Sequence, residues 1–511
     1  MAVGQIIRRT AKYTSKQTSK KDPMQQQRKT FRKLIRKAMD TEFGKQYQFD
    51  QILNADYDIA LFRKLVPIHT YEDMYTQWWK RMRRGDKDTA WPGKIQYFAL
   101  SSGTSGASSK FIPVSKQMLK SVRKMSMRQM HSLHHFKVPA KTFSKQVLML
   151  GGSTRLEEIN GKFYGDMSGI SALHAMPTWF AQKFYAPGYA ISNIADWEAR
   201  LDAMVKEAKH WDISIVCGIP NWVQLLFTRI IEKYHLKNIH ELWPNLQLYI
   251  HGGIFFEPYR ESFQSLLGKA VIYTETYMAS EGYFGYVPGP TAKGIRLSLQ
   301  NGIFYEFVPY HKDVFDKNGK IPTGARTLTI DQVEAGVEYA LLISNNSGAW
   351  RYLLGDTLQF VDTKNCEIRL TGRINQYLSV CGEHVSDKNI LDCMEKTAEY
   401  FGIKVRNYTI RIHQGAGRFK HVWYIGADLD AKKCAKRIDS VLKKANDDYR
   451  TARISLLDAP EVVCLPDKLF SAWMKKEGRS GNQYKLPRVL RDKWEMSFLQ
   501  FIQESSPKTV Q

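Results

Sequence analysis

Four short apolar runs, Val147–Leu150, Ile213–Val216, Leu246–Ile250 and Ala270–Tyr273, set the strongest limit on what this chain can become. Three of them run into glycine or proline, at Gly151-Gly152, Gly218-Ile219-Pro220 and Gly252-Gly253. Helical segments lie between them. Buried strands that end in tight turns, with helices in the connections, predict an α/β domain whose ligand site lies at the strand ends.

Two stretches before these runs have helical spacing. Phe31, Leu34, Ile35 and Met39 recur with basic residues between them, and Trp78, Trp79 and Met82 give Tyr71–Arg84 an apolar face. After Arg373 the texture changes. Tyr408, Ile410 and Ile412 alternate with polar residues, Val422–Ile425 reads as a second strand, and Asp430 precedes an amphipathic run through Cys434, Ile438, Val441 and Leu442. The organisation expected is a basic arm at 1–30, a large domain at 31–372 and a small α+β domain at 373–511.

Lys plus Arg number 75 against 50 Asp plus Glu, a formal charge of +25, so anionic partners are favoured: nucleic acid, a membrane surface, or a phosphate- or carboxylate-bearing substrate. Residues 1–40 hold 12 basic and two acidic residues, a local +10. That segment reads as a solvated arm or first helix, with contact to nucleic acid or membrane as the sharper alternative. No apolar run reaches the roughly 18 residues of a membrane-spanning helix. The six cysteines form no C-x-x-C pair and the N-terminus has no apolar stretch long enough for a secretory signal, so a reducing cytoplasm is expected, with a mitochondrial transit sequence as the alternative reading of the basic, acid-poor start. His131, His134 and His135 fall at helical spacing without the H-E-x-x-H of a zinc site, and read as a packed or solvated cluster.

Chemistry concentrates in a few motifs. In Leu100-Ser-Ser-Gly-Thr-Ser-Gly-Ala-Ser-Ser-Lys110, small residues let backbone amides approach a phosphate, and hydroxyls and a lysine add donors. The spacing is not that of a Walker loop. Tyr277-Met-Ala-Ser280-Glu281-Gly282 offers a ring for a purine and a carboxylate for a phosphate-bound magnesium ion. In Trp350-Arg-Tyr-Leu-Leu-Gly355-Asp356, an aspartate after a tight glycine turn can accept bonds from two ribose hydroxyls. Gly372-Arg373-Ile-Asn375 stands at the change of texture, and Gln483-Tyr-Lys485-Leu-Pro-Arg488 lies near the C-terminus.

The order of these motifs resembles the adenylate-forming ligase superfamily. Within it, the chain resembles the auxin-responsive (Gretchen Hagen) family of acyl acid–amido synthetases and their bacterial relatives. The discriminating segments are Thr41-Glu-Phe-Gly44, Val66-Pro-Ile-His-Thr-Tyr71, Ser101-Ser-Gly-Thr-Ser105, Pro220-Asn-Trp-Val223, and Gly252-Gly-Ile-Phe-Phe-Glu-Pro-Tyr259. The resemblance implies an α/β fold with a large N-terminal adenylate-forming domain and a smaller mobile C-terminal α+β domain. It further implies that Ser101, Ser102, Gly103, Thr104 and Ser105 contact the phosphates of ATP. Gly252 and Gly253 would lie against the adenine, with Tyr277 and Ser280 beside the nucleotide. Glu281 would sit at magnesium, Asp356 on the ribose, and Arg373 near ribose or phosphate. Lys485 would come from the small domain to stabilise charge during adenylation. Asn375 stands where the superfamily has an acidic hinge residue. For the acyl substrate, Trp222 and His251 are the candidates, with core packing the alternative for each.

The activity implied is ATP-dependent adenylation of a small-molecule carboxylic acid, followed by transfer to an amine, with an amino acid expected. Nucleic acid is not expected as a partner. The alternatives are the same adenylation with transfer to coenzyme A, or a non-catalytic basic binding protein on this fold.

Overall fold

In the computed structural model, the residues described are 22–101, 110–253, 256–310, 321, 324–374, 376–405, 407–415, 417–477, 486–490 and 492–505. The helix heralded by Phe31 begins earlier, at Pro23, and runs to Ala38. Asp22 fixes its start: a side-chain oxygen accepts the Gln25 amide at 2.7 Å, and Pro23 takes the first helical position, where no donor is needed. Its inner face buries Phe31, Leu34 and Ile35. The helical stretch Tyr71–Arg84 is continuous but contains a π turn at Tyr75–Trp79. The wider turn seats two neighbouring indoles in the core at once. Trp78 packs on Phe43, and Trp79 Nε1 donates to the Gly348 carbonyl at 3.0 Å.

The four apolar runs fall on adjacent strands of one sheet, Gln146–Leu150, Ile213–Gly218, Leu248–Gly252 and Ile272–Ala279, paired in parallel. Among the described residues this sheet has eleven strands. Tyr185–Ala186 extends the parallel side. The other side is antiparallel, from Gly282–Tyr286 through Ile295–Leu297, Glu367–Arg373, Tyr352–Asp362 and Glu338–Asn345 to Ile303–Pro309. A second, four-stranded sheet contains Tyr97–Ser101 and Lys110–Val114, the strands flanking the Ser/Gly loop.

Contacts divide the chain into two compact units. Among the described residues, the larger takes in 22–101, 110–253 and 265–374, and the smaller 256–264 with 376–505. In the smaller unit, Tyr408–Gln414, Phe419–Ile425 and Glu461–Cys464 form a three-stranded sheet. Helix Ala431–Ala445 is capped by Asp430, as its sequence predicts. A buried Glu383–His421 pair, 3.0 Å apart, lies in this unit, and the Glu383 carboxylate also accepts the amides of Val380 and Cys381. No helix among the described residues is long and apolar enough to cross a membrane.

Candidate active site

Strands Ile272–Ala279 and Gly282–Tyr286 form a hairpin closed by Ser280 and Glu281. Tyr277 is therefore inside a strand rather than after one. Its ring stacks on Phe284 at 4.6 Å, and its hydroxyl donates to Asp356 Oδ2 at 2.6 Å. Glu281 is buried at the hairpin tip, where Asn345 holds its carbonyl at 2.9 Å and the Tyr352 hydroxyl lies 3.3 Å from its carboxylate.

The aspartate motif differs from the turn its sequence predicts. Gly355 and Asp356 lie inside strand Tyr352–Asp362, at a bulge: Leu353 pairs with Leu342 and Thr357 with Ala340, so two residues are extra on this strand. Gly355 has φ +97°, in the region where a side chain is strained. The bulge is pinned from the next strand, because the Gly355 carbonyl accepts the Ile374 amide at 2.8 Å. Asp356 pairs there with Arg373, and Nε of Arg373 is 2.8 Å from Oδ1.

Around this pair the charges interlock. Burial pushes the Glu281 carboxyl above its ordinary range, against the pull of Lys110 and Arg373. Burial and then Arg373 push the Lys110 amine down, while Glu281 and Asp356 hold it up. Burial alone would lower Arg373, but Asp356 and Glu281 reverse the sign. The Tyr277 and Tyr352 hydroxyls are kept protonated by burial first, then by Asp356 and Glu281 respectively. Tyr71, whose hydroxyl accepts the Phe111 amide at 2.9 Å, lies beneath the Lys110 amine. An arriving phosphate would favour the charged form of Lys110, and a cation would favour the ionised form of Glu281.

A second network holds this region in place. Segment 66–71 runs beside the motif: the His69 amide donates to the Arg351 carbonyl, and the Leu353 amide to that of His69. Arg351, at φ +40°, meets buried Glu306 at 3.1 Å, and Arg63 reaches the same carboxylate at 3.0 Å.

Among the expected site residues, Tyr277, Glu281, Asp356 and Arg373 come together, with Ser280 beside Glu281. Gly252 ends a strand whose neighbour is so close that a Cβ would lie 2.3 Å from the Thr276 carbonyl oxygen. Gly253 follows it at φ +84°. His251 is buried on the same strand, its ring 5.7 Å from that of Tyr249. Trp222, on helix Pro220–Tyr234, packs 4.7 Å from Trp197. Ser101 ends its strand, and its side chain lies outside the described residues, as do Ser102, Gly103, Thr104, Ser105, Asn375 and Lys485. Sequence reasoning missed Tyr352. Tyr352 stood inside a quoted motif. Glu275, two positions before Tyr277, is pushed up to about 7 by burial, with Arg369 pulling the other way.

The fold is shared with two solved ligase structures. An acyl acid amido synthetase, GH3.15, superposes with a TM-score of 0.59 at 17% identity, over 97% of this chain and 95% of that one. A 2-hydroxyisobutyryl-CoA ligase, solved with 2-HIB-AMP and CoA, gives 0.55 at 12% identity over 94% and 91%. The models of the GH3 family N-terminal, central and C-terminal domains match residues 14–205, 297–373 and 388–493. This chain belongs to the GH3 family. Among curated relatives, a jasmonoyl–L-amino acid synthetase of Nicotiana attenuata is 22% identical over 79% of this chain and 80% of its own length.

Proposed function

We propose that this protein is an ATP-dependent acid–amino acid ligase, which adenylates a carboxylic acid and transfers the acyl group to an amine. The observation that carries this reading is the bonding state of Asp356. Among the described residues its two oxygens have one close partner each, Tyr277 and Arg373. A carboxylate has about four acceptor positions. Two remain, the number a ribose diol needs, and the two partners hold the carboxylate in a fixed orientation.

A carboxylic acid is a poor acyl donor because its leaving group would be oxide. Attack of the substrate carboxylate oxygen on the α-phosphorus of ATP forms a P–O bond and expels pyrophosphate. The acyl group then sits on a good leaving group, AMP. An amine adds to the acyl carbon, AMP departs, and the amine proton is released. Both reactants of the first step are anions, so fixed cations and donors must offset their repulsion. Lys110 and Arg373 meet that need in the larger unit, and Lys485 is proposed to add charge during adenylation. Ser101 to Ser105 are proposed to cradle the phosphates, with Gly252 and Gly253 against the adenine. Trp222 and His251 are proposed to line the acyl side, and the domains 31–372 and 373–511 to divide the work of binding and completing the site.

Magnesium suits the donor set. It is commonly held by one or two carboxylates together with substrate phosphates. Glu281 is a single buried carboxylate in the cluster, and among the described residues no group of three or more His, Cys, Asp or Glu could hold a metal by itself. An ion entering with ATP would be held by Glu281 and would neutralise phosphate charge.

The test is pyrophosphate exchange across a panel of carboxylic acids, followed by mass analysis of products with amino acids or coenzyme A. Acid-dependent exchange and an amide product are expected. A thioester product alone would replace the amide reading, and absence of exchange with every acid would remove the ligase reading. Lys485→Ala should lose exchange by at least about a hundredfold while retaining ATP binding.

A further inference from the structure

The ligase reading leaves the most basic part of the chain without a role. Helix Pro23–Ala38 carries six Lys and Arg and no acid, and helix Lys116–Ser132 carries five and no acid. Acidic residues stand outside the first helix, at Asp22 and Asp40. The two helices are neighbours through one shared segment. Thr30 of the first donates to the Leu299 carbonyl at 2.8 Å, and Met125 of the second accepts from Ser298 at 2.9 Å. The charges of the two helices also act on one another, since the Lys124 amine is lowered by burial and then by Arg128 and Lys33. Of the eleven cations, Arg32 alone has an ion pair among the described residues, with Asp56. A groove of about 600 Å³ along the first helix is lined by its own basic residues and Gln25.

Like charges side by side cost free energy in the isolated protein, and an anionic surface would relieve that cost. The details favour a membrane over nucleic acid. Single-stranded nucleic acid is commonly held by stacking bases on exposed rings. The ring residues of these helices are Phe31, which is buried, and His131. Tyr57, the nearby tyrosine, already lies under Arg32 and Arg36. A duplex major groove, about 12 Å wide, admits one helix of about 10 Å diameter but not two abreast. A lipid surface has no such width limit. We propose that the paired basic helices Pro23–Ala38 and Lys116–Ser132 form a docking surface for a membrane rich in anionic phospholipid headgroups. Their apolar faces are committed to the core, with Phe31, Leu34 and Ile35 buried on one and Met118, Val122 and Met125 on the other. Attachment is therefore electrostatic, reversible and salt-sensitive.

The experiment is co-sedimentation of the full chain with phosphatidylcholine vesicles, with and without phosphatidylserine, over a series of salt concentrations. Binding should require phosphatidylserine and weaken as salt rises. A variant carrying Lys33→Gln, Lys124→Gln and Arg128→Gln, with residues 1–21 intact, should bind about a hundredfold more weakly, at about fivefold per cation. Its melting temperature should be at or above that of the parent, because repulsion is removed. Equal binding to neutral vesicles, no binding to anionic ones, or undiminished binding by the folded triple variant would overturn the proposal. Tighter binding to a single-stranded or duplex oligonucleotide than to anionic vesicles would overturn it in favour of nucleic acid.

Discussion

Asp356 illustrates how much a single side chain can be asked to do. Tyr277 and Arg373 fix its orientation, and the same partners leave lone pairs for a ligand. Asp356→Ala should weaken apparent ATP affinity by about ten- to a hundredfold, the scale of one or two charge-assisted bonds. Unchanged affinity, measured by nucleotide titration, would take Asp356 out of the site. Glu275 behaves differently. Its carboxyl is pushed up to about 7 from an ordinary value near 4.5, so between those values the folded chain holds a proton that the unfolded chain has lost. Stability therefore falls as pH rises through that window. Glu275→Gln should raise the melting temperature above neutral pH and leave it nearly unchanged near the lower end of the window. Equal shifts at both pH values would show that this proton is not the cause.

At the level of elements, the parallel strands were legible because short apolar runs ended by glycine have few other solutions. Strand Ile213–Gly218 and its neighbours occur where that pattern places them. The antiparallel strands from Gly282 to Arg373 were not legible as a sheet, since their pairing depends on long-range register rather than local composition. The bulge at Gly355 is the instructive case. Its glycine was visible and suggested a turn, but the surrounding buried residues continue the strand through it. Gly355→Ala should cost about 1–2 kcal/mol from the left-handed backbone alone, and should also weaken nucleotide binding by displacing Asp356. Denaturant unfolding and ATP titration on the same variant measure the two effects. Tyr352 was hidden for a related reason: its hydroxyl meets a carboxylate 71 positions earlier, a contact made by folding rather than by spacing.

For the molecule as a whole, the division into two units sets how it should fail. Each has its own buried cluster, one including Phe31, Tyr277 and Trp350, the other Trp473 and Phe498. The smaller unit also contains Glu383, whose carboxyl is held down to about 2 by His421 and the Val380 and Cys381 amides, against the opposing effect of burial. A depressed carboxyl gives its full stabilisation above the unfolded value, near 4.5, and loses it as pH falls towards 2. Glu383→Gln should destabilise the smaller unit by about 1–3 kcal/mol at neutral pH, with the difference from the parent closing in acid. Tryptophan fluorescence across an acid titration would follow it, and a difference that did not narrow would reject the ionic origin. The two-unit arrangement was partly legible from the changed texture after Arg373, whereas the buried Glu383–His421 contact was not, because its residues lie 38 positions apart.

The bulged strand has one more consequence, which concerns parity. Because it carries two extra residues, side chains before and after it keep the same alternation, and Leu358 and Phe360 remain in the core. Removing Gly355 alone would turn every following position on that strand to the opposite face. Removing two residues would restore the alternation while deleting the projection that carries Asp356. Length changes here are thus restricted to even steps, and the shortest even step that removes residues also removes the proposed ribose contact.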